Sequence, residues 1–260
     1  MQGQSVDEKA IVLMETIQRK TLLYKTGVGG MDYCINHVLG CSHGCRYPCY
    51  AFSMKRSYGQ VRSYEEWCKP KLVANALVLL EKELPRLHEK IHSVHLCFST
   101  DPFMAGYPEV ERMSLALMAK LNTAGIPCSV LTKGVLPREL SGAPYLKEND
   151  YGISIVSLDE DFRRRWEPGA APYRDRIAAL RFLHDSGCRT GAHIEPYPTP
   201  NIVRQDLRDI LDALSFVGHL SFGGWNYNPL VRKYAGYREF YEAQERILRE
   251  FCSEKHIECG

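Results

Sequence analysis

The feature that most constrains this chain is an alternation of short apolar runs and amphipathic helical stripes, repeated about six times with short connections. This order is typical of a parallel sheet whose strands are joined by crossover helices. Six units fall short of the eight of a closed barrel. We therefore predict an α/β fold, a partial (β/α)6 TIM-type barrel with an N-terminal extension and a C-terminal helix. The predicted strands are Tyr33–Leu39, Ser93–Phe98, Pro127–Thr132, Tyr151–Leu158, Arg189–Ile194 and Leu220–Phe222, and the predicted helices are Trp67–Leu87, Pro108–Ala124, Arg174–Asp185, Val203–Phe216 and Tyr234–Phe251.

The length of 260 residues fits one α/β domain of barrel size or two small domains. We predict an N-terminal extension over residues 1–30, the barrel over residues 31–230, and a C-terminal helix and tail over residues 231–260. A hydrophobic fraction of 45% and a charged fraction of 25% are ordinary for a soluble globular protein. The sequence has no apolar run near 18 residues and no secretory pattern in its first 30 residues, so we expect a cytoplasmic protein without a membrane span.

Three of the ten cysteines lie close together in a loop rich in glycine and proline. Cys41, Cys45 and Cys49 are spaced four and four residues apart, and thiolates at such spacing suit a soft metal or an iron–sulfur cluster. A structural zinc site prefers four closed positions, whereas a cubane cluster held by three cysteines leaves one iron open to a substrate or cofactor. The same spacing would also place three small hydrophobic residues on one face of a helix. Gly44 and Pro48 argue against that helix.

Polar side chains follow the C-terminal ends of the predicted strands, where the active sites of parallel α/β folds lie. Ser99, Thr100 and Asp101 follow the second strand and could bind an amino group or a ribose, although an ordinary turn or N-cap explains them equally well. Lys133 follows the third strand, where it could meet a ligand carboxylate or simply lie in solvent. Ser154, within the fourth strand, needs a hydrogen-bond partner if it is buried, and either a ligand or the sheet would provide one.

His193 and Glu195 end the fifth strand two residues apart, so their side chains share one face of the sheet. If that face is the barrel interior, they form an acid–base pair near the substrate, with Asp101 as a third catalytic candidate. A structural histidine is the alternative. The loop after the sixth strand carries aromatic rings beside an amide, which suits a flat or polar substrate, although a packed loop that caps the barrel is equally compatible. These substrate candidates are Trp225, Asn226 and Tyr227.

Five arginines form a basic cluster that could face phosphate. A solvated helix face is the other interpretation, because three acidic residues precede the cluster and partly offset its charge. The net charge of +2 is too small to indicate a nucleic-acid-binding protein by itself. The arginines are Arg163, Arg164, Arg165, Arg174 and Arg176, and the acidic residues are Asp159, Glu160 and Asp161.

Taken together, these segments resemble the spore photoproduct lyase-like branch of the radical S-adenosylmethionine (SAM) superfamily. The resemblance extends over about three quarters of the chain, and the cysteine loop is its most specific part. The other segments are weak singly but occur in the order found in the family. The segments are Gly40–Ala51, Ser99–Pro102, Ser129–Lys133, Ile153–Ile155, Leu158–Asp159 with Trp166–Pro168, and Gly223–Tyr227.

The resemblance implies a partial barrel that holds a [4Fe–4S] cluster on Cys41, Cys45 and Cys49 and binds SAM. Members of the family reduce the cluster by one electron and cleave SAM homolytically, and the 5′-deoxyadenosyl radical then abstracts a substrate hydrogen. An electron donor such as flavodoxin or ferredoxin is implied as a partner. Tyr47 would lie near the adenine, and the methionyl and ribose parts of SAM would be contacted by Ser99 or Thr100, Lys133 and Ser154.

The cysteine loop departs from the family pattern, because it reads C-x3-C-x3-C where the family has C-x3-C-x2-C. Pro48 is the extra residue, and the loop must bulge to keep three sulfurs on one cluster. The bulge could move Tyr47 off the adenine, with Tyr50 in its place. It could also redirect cleavage of SAM so that a 3-amino-3-carboxypropyl radical forms.

A second departure concerns the hydrogen-donating cysteine that the lyase itself carries near the end of the second strand. Cys97 is close to that place in the sequence but does not align with it. We therefore do not extend the lyase activity to this chain.

The sequence thus predicts a radical SAM enzyme that reductively cleaves SAM and starts radical chemistry on an unidentified, small polar substrate. One alternative is repair or modification of a nucleic acid by the same chemistry. The other alternative is a non-catalytic zinc or iron–sulfur binding module.

Overall fold

A computed structural model describes residues 14–27, 32–226 and 228–260. Its strands are β1 (Thr16–Ile17), β2 (Leu23–Lys25), β3 (Tyr33–Ile35), β4 (Val38–Leu39), β5 (Lys71–Val73), β6 (Val94–Leu96), β7 (Cys128–Thr132), β8 (Asp150–Ser154), β9 (Arg189–Tyr197), β10 (His219–Gly224) and β11 (Glu258–Cys259). Its helices are α1 (Tyr50–Ser57), α2 (Tyr64–Trp67), α3 (Ala76–Leu87), α4 (Pro108–Thr123), α5 (Glu160–Trp166), α6 (Tyr173–Asp185), α7 (Leu207–Ala213), α8 (Pro229–Arg232) and α9 (Tyr237–Lys255), with short 3-10 turns at His88–Lys90 and Arg138–Ser141.

The main sheet has eight strands in the order β11-β10-β9-β8-β7-β6-β3-β2. All neighbours from β3 to β11 run parallel, and only β2 pairs antiparallel, with β3. Each of the six predicted strands contributes one of the consecutive parallel strands β3 and β6 to β10, which confirms the α/β fold with a central parallel sheet. The order places β2 and β11 at opposite ends, and this topology is consistent with the predicted partial (β/α)6 barrel.

A second, three-stranded sheet in the order β1-β5-β4 corrects two predicted elements. The predicted strand Tyr33–Leu39 is two strands, because the chain leaves the main sheet at Ile35 and Val38 pairs with β5 instead. The predicted helix Trp67–Leu87 begins only at Ala76. Pro70 interrupts it, and the backbone N–H of Val73 donates to the carbonyl of His37 at 2.9 Å, which fixes β5 as a strand.

The two faces of the main sheet differ in polarity. Residues such as Val94, Val130 and Ile153 belong to a large apolar core. The alternate residues on the opposite face are polar, and strand register aligns His95 with Ser129. Further polar residues of this face are Asp150, Ser154, His193, His219 and Ser221. Because a parallel sheet is ordinarily apolar on both faces, the polar face is where we expect a ligand site.

The C-terminal residues join the same sheet. Leu248 and Phe251 of α9 are buried, and β11 pairs parallel with β10 at the sheet edge. The predicted C-terminal helix is therefore present and is followed by a further strand. None of the helices in the described parts of the chain is both long and apolar enough to cross a membrane.

Gly134 packs the end of β7 against the loop that follows β6. A Cβ atom at Gly134 would overlap the carbonyl oxygen of Phe103, and that atom belongs to the backbone and cannot rotate away. We expect Gly134→Ala to lower the free energy of unfolding by about 2–3 kcal/mol, measured by urea denaturation. Gly142→Ala is the matched control, since the nearest atom lies 3.9 Å from the added Cβ. Equal stabilities for the two variants would contradict this packing.

Candidate functional site

A cavity of about 390 Å³ lies where the C-terminal ends of the parallel strands meet the cysteine loop. Cys41, Cys45 and Cys49 all line it, and so do polar side chains from the strand ends. The structure thus brings together nearly all the residues that the sequence singled out. These are Tyr47, Ser99, Thr100, Asp101, Lys133, Ser154, His193, Glu195, Trp225 and Asn226. Tyr227, the remaining substrate candidate, lies outside the described residues.

Each cysteine of the loop is held in place by a neighbouring residue or element. The N–H of Cys41 donates to the carbonyl of Trp67 at 2.9 Å, directly after Gly40, which has a φ of +96°. A Cβ at Gly40 would lie 2.6 Å from that same carbonyl oxygen, so only glycine fits this turn. The hydroxyl of Tyr64 donates to the carbonyl of Cys45, and Cys49 forms the N-cap of α1.

The arrangement of the three thiols bears on which kind of metal group they could hold. Within residues 14–27, 32–226 and 228–260, no group of three His, Cys, Asp or Glu side chains is arranged to hold one metal ion. A zinc ion needs thiolates about 2.3 Å from one point, whereas the thiolates of a cubane cluster bind different irons and lie farther apart. Burial raises the pKa of Cys45 to about 12 and that of Cys41 well above its usual value, so a bound cation that displaces their protons would be needed to hold these residues as thiolates.

Asp101 ties the cysteine loop to the ends of β6 and β7. Its carboxylate oxygen Oδ2 lies 2.7 Å from Nε2 of His43 in the loop, and it accepts the backbone N–H of Lys133 at 2.8 Å. The other oxygen accepts from the hydroxyl of Thr132 at 2.7 Å and from the N–H of Phe103 at 2.8 Å. Burial alone would raise the pKa of Asp101, but His43 and these hydrogen bonds outweigh it and hold the pKa below 3.8. This geometry favours a positioning role over the predicted role in acid–base chemistry.

Glu167 is the second buried carboxylate and the centre of a larger network. Its Oε1 accepts from the hydroxyl of Tyr47 at 2.6 Å and pairs with the ammonium of Lys133. Its Oε2 lies 3.1 Å from the guanidinium of Arg176, and the side chains of Glu167 and Arg176 are both 0% exposed. Arg176 also donates to the backbone carbonyl of Ser154 at 2.8 Å. One carboxylate therefore joins the cysteine loop to β7, β8 and α6.

The residues predicted to contact SAM also contact other residues of the protein. Nζ of Lys133 lies 4.6 Å from the centre of the Tyr47 ring and 4.0 Å from Sγ of Cys45, in addition to its pairing with Glu167. The Tyr47 ring packs edge-on against Trp225 at 5.3 Å, and its hydroxyl is used by Glu167. The N–H and hydroxyl of Ser99 donate to the amide oxygen of Asn36 at 3.1 and 3.0 Å. Their contact with SAM remains a prediction.

The substrate candidates divide into buried and open side chains. Trp225 is only 2% exposed and packs against the Trp166 ring at 4.8 Å, which supports the packed-loop interpretation for this residue. His193 lines the cavity, and burial lowers its pKa to about 4, with a smaller effect from His219. Glu195 lines the same cavity and is exposed to it.

Sequence reasoning missed several residues and misplaced one. Arg176 was assigned to the basic cluster that could face phosphate, but it is fully buried against Glu167. Arg163 and Arg164 pair with acidic residues of their own helix, as the solvated-face interpretation predicts. His43 and His95 were not singled out, although His43 lies inside the cysteine loop and His95 lies on a predicted strand. The signals available were the position of His43 between two of the loop cysteines and the alternation of His95 with the apolar Val94 and Leu96.

Replacement of Glu167 tests the buried network. In Glu167→Gln, Lys133 and Arg176 lose the carboxylate that neutralises them, so the free energy of unfolding should fall by about 3–5 kcal/mol at pH 7. Burial raises the pKa of Glu167, but Lys133 and Arg176 outweigh it and hold the pKa below 4.5. The stabilisation is therefore complete above about pH 4.5 and is lost as the pH falls through the lower folded-state pKa.

Urea denaturation between pH 7 and pH 3 measures both effects, and the variant should lose less stability than the wild type on acidification. Glu65→Gln, which removes an exposed carboxylate paired with Lys69, is the control and should leave the free energy of unfolding nearly unchanged. A Glu167→Gln variant as stable as this control would contradict the network.

Comparison with known proteins matches this chain to a family. Residues 35–214 match the family described as the radical SAM superfamily. ORF301, an uncharacterized protein of Acidianus two-tailed virus, is 26% identical over 192 residues, which cover 70% of this chain and 61% of the viral protein. The uncharacterized protein MJ0683 of Methanocaldococcus jannaschii is 24% identical over 187 residues, which cover 69% of this chain and 66% of that protein. The chain thus spans less than two thirds of the length of either relative.

Solved structures show the same fold at low sequence identity. Spore photoproduct lyase complexed with a dinucleoside spore photoproduct matches with a TM-score of 0.59 and 17% identity, over 83% of this chain and 63% of that chain. A variant of that lyase with bound AdoMet and the same photoproduct matches with a TM-score of 0.57 and 17% identity, over the same shares of the two chains. The family match covers more than half of the sequence, and the chain therefore belongs to the radical SAM superfamily of enzymes.

Proposed function

We propose that this enzyme cleaves SAM reductively at a [4Fe–4S] cluster held by Cys41, Cys45 and Cys49, and uses the radical on a small polar substrate. The observation that carries the proposal is that three thiols line one cavity with the polar strand ends. When bound, the cluster supplies the electron that breaks a carbon–sulfur bond of SAM. Flavodoxin or ferredoxin would serve as the electron donor.

The residues around the loop would orient SAM and hold the cysteines in place. The ammonium of Lys133 has three N–H donors, and Glu167 takes one of them, which leaves donors for the carboxylate of SAM. Ser154 lies on the neighbouring strand and lines the cavity, where its hydroxyl can meet the ribose. His43 and Asp101 keep the loop in contact with these strand ends.

The extra residue Pro48 bears on how SAM is held. The Tyr47 hydroxyl bonds to Glu167, and its ring packs edge-on against Trp225. These two contacts hold the side chain in place, so it is not free to turn toward a ligand in the cavity. Tyr50 also lines the cavity, is 60% exposed, and is the stronger candidate for contact with the adenine. Its hydroxyl donates to the carbonyl of Phe98 at 2.6 Å, which holds the ring next to the segment that follows β6.

Nucleic-acid repair or modification is the second candidate function, and the fold match to a lyase complexed with a dinucleoside photoproduct favours it. The arrangement of the arginines argues against a nucleic-acid substrate. Two of the arginines that could face phosphate are paired within α5, and Arg176 is buried. A small polar substrate is therefore the stronger proposal.

Analysis of SAM fragments tests the proposed function. Anaerobically reconstituted, dithionite-reduced protein incubated with SAM should release 5′-deoxyadenosine, and Cys45→Ala should lower the rate to background, because a cluster ligand is lost. Cys68→Ala is the control, since Cys68 is a half-buried cysteine outside the cavity lining. Release of 5′-methylthioadenosine instead would show that the loop directs cleavage to the 3-amino-3-carboxypropyl radical. No cleavage of SAM by the reconstituted protein would refute the proposal.

A further inference from the structure

The charges that line the cavity do not balance. Asp101 is saturated by hydrogen bonds and Lys133 is paired with Glu167. Glu195 has neither an ion pair nor a hydrogen bond to any described residue, although it lines the cavity. Burial lowers the pKa of both His95 and His193 to about 4, so neither imidazole brings a positive charge to this region at pH 7. The part of the cavity beside Glu195 therefore carries an uncompensated negative charge.

The neighbouring strand makes room for the Glu195 carboxylate. Gly223 lies on β10, and a Cβ at that position would lie 2.5 Å from Cδ of Glu195. Any larger residue at Gly223 would push the carboxylate away, so the glycine is part of how this group is positioned. Glu195 also lies on the same face of β9 as His193, two residues earlier.

Two imidazoles that line the same cavity as this carboxylate have unused hydrogen-bonding capacity. His95 is 7% exposed, and its Nδ1 lies 2.9 Å from the hydroxyl of Ser129, which leaves Nε2 without a partner in the described structure. His193 makes no side-chain hydrogen bond to a described residue; its ring centre lies 6.4 Å from that of His219, and it lines the same cavity as His95. A neutral imidazole can accept a hydrogen bond from an N–H group and does not repel a cation.

We propose that Glu195, His193 and His95 form a substrate subsite for a cationic nitrogen, the amine or guanidine group of a small molecule. This inference rests on the proposed function and names its substrate class. A carboxylate without a partner forms charge-assisted hydrogen bonds to an ammonium or guanidinium group, whereas a phosphate or carboxylate of a substrate would be repelled there. Lys133, the one described cation that lines the cavity, is paired with Glu167, and in the proposed function its remaining donors are taken by the carboxylate of SAM.

Binding of small probes to the reconstituted, SAM-bound protein tests the subsite. The probes are butylguanidine as the cation and butyrate as the anion, followed by saturation-transfer NMR titration. We expect the wild type to bind butylguanidine in preference to butyrate, and Glu195→Gln to weaken butylguanidine binding by about tenfold. Gly223→Ala should weaken it too, because the added methyl group displaces the carboxylate without changing any charge. Glu245→Gln, an exposed carboxylate on α9, is the control and should bind butylguanidine as the wild type does.

Three outcomes would overturn the subsite: butyrate binding at least as tightly as butylguanidine, neither probe binding, or an unchanged butylguanidine affinity in Glu195→Gln. A fall in SAM affinity in Glu195→Gln with no change in probe binding would also overturn it, because Glu195 would then balance the sulfonium of SAM. SAM cleavage by the wild type is measured separately. A protein that cleaves SAM but binds no cation refutes only the subsite, whereas one that does not cleave SAM refutes the proposed function.

Discussion

The buried carboxylate of Glu167 holds this site together. It accepts a hydrogen bond from Tyr47 of the cysteine loop and pairs with Lys133 and Arg176, which come from β7 and α6. Burying a carboxylate without partners is costly, so the structure is stable only when all these groups meet. The network thus couples the position of the cysteine loop to the fold of the sheet. Asp101 and His43 do the same on a second side of the loop.

The polarity of the sheet explains why the cavity forms where it does. One face of the parallel strands packs an apolar core, whereas the other carries imidazoles, hydroxyls and carboxylates. Two glycines on this inner face leave space for neighbouring side chains, since the His219 ring lies over Gly191 and the Glu195 carboxylate lies beside Gly223. A polar interior does not stabilise the fold by apolar burial, and buried polar groups without partners cost free energy, as is expected of a face that would bind a polar ligand.

The sequence allowed the order of the parallel strands and the cysteine loop to be predicted, because both depend on local periodicity and spacing. The small sheet was missed, since strands of two or three residues such as β4 and β5 have no detectable period. The partners of Glu167 are 9, 34 and 120 residues away along the chain, and no local pattern indicates such contacts. Arg176 was misread for the same reason. An arginine in a basic stretch is ordinarily exposed, and the sequence does not indicate its buried partner Glu167.

The most direct test of the account is whether SAM binds at the cluster held by the three cysteines. Electron paramagnetic resonance of the anaerobically reconstituted, dithionite-reduced protein, recorded with and without SAM, makes this measurement. We predict a [4Fe–4S]⁺ signal that changes when SAM is added and is absent in Cys45→Ala. A signal that is indifferent to SAM, or a protein that takes up zinc in place of iron, would contradict it.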